Sequence, residues 1–448
     1  MRFIIPILLF LTFATPAAAQ EEEAIFPFPY RLVELENGFK AYLIDAGGPG
    51  QVAFVTLVRT GSRDEWEPGH SGYAHLCEHM MFRGTERYPS TVYDQILTRI
   101  GADSNAFTSS DFTCYYIVAA GDALERLMDL ESDRFMNLSY AEAAFRTETG
   151  AVIGEFYQGR ANPFSVLYET LRDTAFDLHT YKHTTIGFEA DVLAMPDEYD
   201  YSRSFFRRYY RPENCVLLLV GDFDADAAES LLRRYYSGWE PGYTPPEISA
   251  EPPQEGSREA EASFSGRTLP WLAVAYKAPA WSATSREAVA CQILGRIAFG
   301  SNSDIYRRLV LQEQRVQALF EDFDLQRDPY LASVSAIVTN PADVAGVREE
   351  IEATAARFRD ELCDAELLEN TKRRMRYEFL MGLETARGVA FSLLAQVINT
   401  GGIEAVEDYY RTVAQITPED IRSAARSFLV DDAKTVVTLT METEEEGR

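Results

Sequence analysis

The chain has 448 residues, of which 46% are hydrophobic and 12% aromatic, and its formal net charge is −28 at pH 7. A chain of this length and composition is expected to fold into two domains, each with its own core. Because acidic residues are spread along the sequence, nucleic-acid phosphates and anionic lipid surfaces should be repelled, which argues against binding to either. Five cysteines without closely spaced pairs do not indicate a disulfide scaffold.

The first residues have the pattern of an export signal. In MRFIIPILLFLTFATPAAAQ, one arginine precedes a short apolar run that ends in three alanines, the small side chains that signal peptidase accepts. We therefore expect residues 1–19 to be a signal peptide and the mature chain to be exported, with the periplasm as its compartment. The apolar run is short and contains proline, and no later segment is apolar enough to predict a membrane span in the mature form.

Strand-like and helix-like patterns are mixed along the chain. Alternating or β-branched runs predict strands at 53–58, 113–119 and 272–276. Apolar residues at helical spacing predict long helices at 122–136 and 286–297. This mixture predicts an α+β fold.

Composition and repetition divide the chain into two similar parts. Residues 240–257 are rich in Pro, Gly and Glu and predict a linker between units at 20–239 and 258–448. Each unit closes with an acidic helix start, an Arg-Ser-Phe triplet (203–205 and 426–428) and a strand-like run. These repeated patterns indicate two duplicated domains, each a mixed β-sheet packed with helices.

A group of metal-binding side chains occurs in SGYAHLCEHMMFRG. His75 and His79 are four residues apart, so on a helix they lie on one face within reach of one metal ion. Glu78 is one helical turn from His75 and is placed to take a proton from an attacking water. Cys77 turns to nearly the opposite side of the helix, and we interpret it as a small buried apolar residue. With only five histidines in the chain, a chance match to this spacing is rare.

A catalytic zinc site usually takes three protein ligands, so a third is needed from another segment. The helical pattern at 141–158 places Glu148 and Glu155 seven residues apart on one face. One of them can bind the metal while the other supports it, and the spacing does not decide which. His179 and His183 form a second pair four residues apart, but no carboxylate lies between them to serve as a base, so we assign them a structural role.

These motifs resemble those of the pitrilysin family, the insulinase-like zinc peptidases with an inverted motif, which include the mitochondrial processing peptidases. The resemblance covers nearly the whole mature chain and is carried by GSRDEWEPGHSGYAHLCEHMMFRGT, GADSNAFTSSDFTCYY, the helix at 141–158, HTYKHTTIG and YYRPENCVLLLVGDFD. It implies that Glu155 is the third zinc ligand. It also implies that Glu148 assists catalysis as a supporting carboxylate beside the site.

The resemblance further implies how a substrate binds. The family places an edge strand beside the metal, to which an extended peptide adds as a further strand. In this sequence the matching residues are Asn105, Ala106, Phe107 and Thr108. Arg327 and Tyr330 are candidates, by composition, for the family's Arg and Tyr that grip the substrate from the opposite half.

The second half lacks the metal motif. Its apparent counterpart, CQILGRIAFGSNSDIYRRL, contains no histidine, so we expect one Zn²⁺ ion and one active site per chain. The resemblance implies that such a chain closes a chamber around its substrate by forming a homodimer, or a heterodimer with a metal-less relative. The expected function is a zinc-dependent endopeptidase, a hydrolase that cleaves unfolded peptides. One alternative is a non-catalytic, metal-containing peptide-binding subunit of an exported assembly, and another is a zinc hydrolase with a non-peptide substrate.

Overall fold

The structure, a computed structural model, describes residues 24–48 and 50–442. The predicted signal peptide at 1–19 and the last six residues of the charged tail lie outside this part of the chain. Within the described ranges, no helix combines the length and the apolar character needed to cross a bilayer.

The regular elements of the first half precede residue 237. Its strands are β1 (Tyr30–Glu34), β2 (Lys40–Asp45), β3 (Gln51–Val58), β4 (Asp103–Thr108), β5 (Thr113–Ala120) and β6 (Cys215–Gly221). Its helices are α1 (Tyr73–Met81), α2 (Ser90–Arg99), α3 (Leu124–Asn137), α4 (Glu142–Arg160), α5 (Pro163–Ala175), α6 (Glu189–Ala194), α7 (Tyr199–Tyr209) and α8 (Ala225–Tyr236). Residues 240–257 contain neither helix nor strand.

The second half starts with a strand directly after that irregular stretch. Its strands are β7 (Arg258–Phe264), β8 (Trp271–Ala278), β9 (Val316–Asp322), β10 (Tyr330–Val338) and β11 (Lys434–Met441). Its helices are α9 (Arg286–Ala298), α10 (Asp304–Tyr306, which continues as a π-helical turn to Gln312), α11 (Val344–Asp360), α12 (Ala365–Gly382), α13 (Ala386–Ser392), α14 (Leu394–Thr400), α15 (Ala405–Gln415) and α16 (Pro418–Phe428).

The two sheets share one topology. The first has the order β1-β2-β6-β3-β5-β4, and the second has the order β7-β11-β8-β10-β9. Apart from β1, each position has an equivalent: β2 pairs with β6 in parallel, as β7 pairs with β11, and the other neighbouring pairs are antiparallel in both sheets. The expected α+β fold of two duplicated domains is therefore confirmed.

Each sheet is covered on both faces because helices of each half pack against the sheet of the other half. One face of the first sheet packs on helices of its own half, and the other face packs on residues of α13 and α14 from the second half. In return, α5 of the first half packs against the second sheet, next to β7, β8 and β11. Central strands are thus buried on both sides, which explains why the run at 216–220, VLLLV, has no polar position.

Candidate metal centre

Helix α1 carries the histidine motif, and its start is fixed by the buried carboxylate of Glu65 and the partly buried carboxylate of Asp191. The carboxylate of Glu65 accepts hydrogen bonds from the backbone N–H groups of Gly72 (2.7 Å) and Ala74 (2.6 Å), and Asp191 accepts from the backbone and hydroxyl of Ser71. These bonds satisfy N–H groups that a helix start leaves unpaired. Gly72 has φ of +88°, and a Cβ there would lie 2.5 Å from a backbone oxygen of the neighbouring loop, so only glycine fits.

Three ligand atoms converge between α1 and α4. His75 Nε2 and His79 Nε2 lie 3.3 Å apart, and Glu155 Oε2 lies 3.4 Å from the first and 3.5 Å from the second. One ligand atom from each residue falls within 4.8 Å of the other two. The structure thus brings together the three side chains that the sequence and the resemblance selected.

The surroundings of the two histidines suit a metal ion. His79 Nδ1 lies 3.3 Å from Glu148 Oε2, so its proton faces that carboxylate and its Nε2 lone pair faces the other two ligand atoms. Glu148 is itself buried and is ion-paired with Arg83, which fixes its orientation. Burial, and next the neighbouring His79, lower the pKa of His75 to about 4, so this imidazole is neutral at pH 7.

This donor set fits zinc. The Nε2 atoms of His75 and His79 and a carboxylate oxygen of Glu155 face one point, and a cation placed there would be bound by all three. Two histidines and a glutamate are a ligand set that catalytic zinc sites use. The side chain of Glu155 is 44% exposed, so the same point can be reached from solvent.

Glu78 is held beside the three ligands by a residue of β4. The hydroxyl of Thr108 donates a 2.6 Å hydrogen bond to Glu78 Oε2. Burial raises the pKa of Glu78, whereas this hydrogen bond and the neighbouring His79 lower it. A carboxylate held in this way can move a proton at the centre of the site.

The strand β4 lies at the edge of the first sheet. It pairs with β5 on one side, from Asp103 opposite Val118 to Thr108 opposite Thr113. Asn105, Ala106, Phe107 and Thr108 all belong to this edge strand, which ends beside Glu78. The Phe107 ring packs edge-on against Phe112, and Thr108 faces the site.

The other candidate residues have contacts within the chain. His179 Nε2 lies 3.0 Å from Asp328, and His183 is buried, so both histidines make structural contacts away from the metal centre. The Arg327 guanidinium donates to a backbone oxygen of the first half, and the buried Tyr330 hydroxyl lies 2.5 Å from that of Tyr168. Arg327 and Tyr330 therefore hold the two halves of one chain together.

Sequence reasoning missed three supporting residues. Glu65 and Asp191 cap α1 from distant loops, and nothing in their local pattern marks them. Arg83 lies in the turn directly after α1, two residues beyond its last residue Met81, where it pairs with Glu148, the carboxylate that supports His79. Cys77 is buried, as its position on the far side of α1 predicts.

Comparison with known proteins defines the class to which this fold and site belong. Residues 48–188 match the profile described as Insulinase (Peptidase family M16), and residues 198–375 match the one described as Peptidase M16 inactive domain. The chain belongs to the M16 peptidase family, as the resemblance in its motifs predicts. The zinc protease PqqE of Helicobacter pylori is 27% identical over 434 residues, which cover 95% of this chain and 96% of that protein.

Solved structures show the same fold. The crystal structure of a protease from Helicobacter pylori superimposes with a TM-score of 0.86 at 26% identity, covering 92% of this chain and 99% of that one. The periplasmic protease PqqL from Escherichia coli superimposes with a TM-score of 0.73 at 18% identity. In that comparison 92% of this chain covers only 47% of the PqqL chain.

Proposed function

We propose that this chain is an exported zinc-dependent endopeptidase that hydrolyses peptide bonds in unfolded peptides. The observation that carries the proposal is the convergence of His75, His79 and Glu155 on one point, with Glu78 held beside them. Membership of a peptidase family, and the zinc protease names of its relatives, support the same activity.

The side chains around this point divide the chemistry between them. A zinc ion bound there supplies positive charge that polarises the scissile carbonyl and acidifies a water molecule. Glu78 takes the proton of the attacking water and then donates it to the leaving amine nitrogen. Thr108 orients the carboxylate of Glu78, and Glu148 keeps the Nδ1 proton of His79 in place so that Nε2 stays available as a ligand.

The edge of the first sheet is the proposed peptide-binding surface. An extended peptide that adds to β4 gains main-chain hydrogen bonds that do not depend on its sequence. Because β4 ends at Thr108, next to Glu78, a peptide bound along Asn105, Ala106 and Phe107 passes the metal centre.

Peptide cleavage by the purified protein tests the proposal. Zinc-loaded protein should cleave unstructured peptides, a chelator should stop the cleavage, and Glu78→Gln should keep zinc and lose turnover. Glu142→Gln removes one negative charge, as Glu78→Gln does, but at the exposed start of α4 and away from the site, so this variant should behave as wild type. Cleavage by Glu78→Gln would refute its role, and a wild-type protein that binds zinc and peptide without cleaving would support the non-catalytic alternative.

We also propose that a second chain completes the substrate chamber, as a second copy or a metal-less relative. The PqqL chain is about twice as long as the part that this chain matches, which supports a need for a further unit of this size. Native mass measurement with metal analysis should show a dimer and one zinc ion per metal-binding chain. Export is tested by amino-terminal sequencing of the mature protein, which should begin near Gln20.

A further inference from the structure

A cavity adjoins the metal centre on the side of α5. It has a volume of about 610 Å³ and includes His75 and Glu155 in its wall. Aromatic side chains, among them Phe112, Phe156 and Tyr168, line much of the rest. Because two metal ligands border the cavity, a substrate residue that enters it lies next to the scissile bond.

One charged side chain in this wall is buried and has no acidic partner. Arg172 on α5 is 2% exposed, its Nε donates to the backbone oxygen of Tyr181 (2.6 Å), and its guanidinium lies over the rings of Tyr168 and Tyr330. Its Nη2 reaches the Ser110 hydroxyl only at 3.5 Å. Among residues 24–48 and 50–442, no carboxylate lies within 4.0 Å of it to form a salt bridge.

The acids nearest to this guanidinium do not form an ion pair with it. Glu169 also lines the cavity, but it is paired with Arg160 at 3.4 Å, which in turn pairs with Glu189 at 2.9 Å. Burial and the neighbouring Asp324 raise the pKa of Asp322 to about 6, and the charge of Arg172 opposes that rise from a distance too long for a salt bridge. A buried guanidinium without a carboxylate is costly to the fold, and a ligand carboxylate can offset that cost with two parallel hydrogen bonds.

We propose that this cavity is the subsite for a substrate residue next to the scissile bond, and that Arg172 selects a carboxylate there. The carboxylate belongs to an Asp or Glu side chain or to the end of the peptide chain. This assignment rests on the proposed peptidase function. The formal charge of −28 disfavours strongly acidic peptides at long range, so the expected substrate carries one acidic group at this position in an otherwise neutral or basic sequence.

Isosteric peptide pairs test the assignment on the zinc-loaded wild-type protein. In one arm the residue on either side of the cleaved bond is Glu or Gln, and in the other the peptide ends in a free carboxylate or an amide. We expect kcat/KM to be roughly 10- to 100-fold higher for the Glu peptide at one of the two positions, or for the free acid if the chain end is recognised. Equal rates in both arms, or a preference for Lys or Arg beside the bond, would overturn the assignment.

Variants identify the residue responsible. In Arg172→Gln the ratio of kcat/KM between acidic and isosteric neutral peptides should fall toward one, and in Arg172→Lys it should stay above one. Arg146→Gln removes the same charge from the outer face of α4 and should keep the wild-type ratio. An Arg172→Gln protein that melts as wild type but keeps the full ratio would overturn the role of Arg172.

If Arg172→Gln does not fold, the wild-type peptide pairs and Arg172→Lys still decide the question. The outcomes also separate this assignment from the proposed function on which it rests. Cleavage of all peptides without preference contradicts the carboxylate subsite alone. Absence of cleavage from every peptide contradicts the peptidase function, and the subsite with it.

Discussion

Replacing Thr108 by valine tests whether Glu78, the proposed catalytic carboxylate, must be held in place. Valine has nearly the same shape and the same preference for a strand, so β4 should be kept while the 2.6 Å hydrogen bond to Glu78 is lost. A hydrogen bond to a charged acceptor contributes about 1.5 to 3 kcal/mol. If that contribution is realised in the transition state, kcat falls roughly 10- to 100-fold, while zinc content stays at the wild-type level.

The pH dependence of the same variant gives a second readout. Burial raises the pKa of Glu78 and the Thr108 hydrogen bond opposes that rise, so removing the bond moves the pKa upward. Because Glu78 accepts a proton only when it is ionised, the acidic limb of the pH–rate profile should move to higher pH. Thr108→Ser keeps the hydroxyl and should restore both kcat and the limb. Wild-type kcat and an unmoved limb in Thr108→Val, at equal zinc content, would refute the reasoning.

Three further variants probe the metal centre and the contact between the halves. Glu155→Gln should lose zinc, as measured by elemental analysis after dialysis, and full retention would contradict its role as a ligand. Glu148→Gln should keep zinc but bind it roughly 10- to 100-fold more weakly in a chelator competition, and unchanged affinity would contradict its support of His79. Burial raises the pKa of Asp328, but hydrogen bonds from His179 and Arg63 outweigh burial and lower it. The ionised carboxylate therefore stabilises the fold at pH values above its ordinary pKa, and this stabilisation is lost as the pH falls and the carboxylate is protonated. Asp328→Asn should therefore unfold about 2 kcal/mol more easily at pH 7 in urea, with the difference shrinking below about pH 4; a pH-independent difference would contradict this.

Local patterns were sufficient to predict many elements. The strand expected at 113–119 is β5, Thr113–Ala120, and the helix expected at 286–297 is α9, Arg286–Ala298. The secondary structure of these segments could be predicted because each buries one continuous apolar run or face. The order of the strands in the sheet could not be predicted from the sequence, because it depends on pairings such as β2 with β6, which join residues about 175 positions apart in the chain.

In the candidate site, too, contacts within one helix could be predicted from the sequence, whereas contacts between distant segments could not. His75, Glu78 and His79 lie on one helix, so their spacing in the sequence is enough to predict that their side chains are close to one another. The contact from Thr108 to Glu78 depends on the approach of β4 to α1, which no local pattern encodes. The charge of Arg172 is also visible in the sequence, but its isolation from acidic partners becomes apparent only when α5 is packed between the halves.

The shared topology places different side chains at the equivalent helix pair of each half. Helices α9 and α12 follow β8 and β10 in the order in which α1 and α4 follow β3 and β5, and each pair of helices is in contact. Between α1 and α4, the imidazoles of His75 and His79 converge with the carboxylate of Glu155, a set of side chains that could hold a cation from outside the chain. Between α9 and α12, Arg296 donates to Glu378 at 2.7 Å, which supplies the cation from the chain itself. The duplicated helix pair therefore carries the candidate metal centre in the first half and an ion pair between Arg296 and Glu378 in the second.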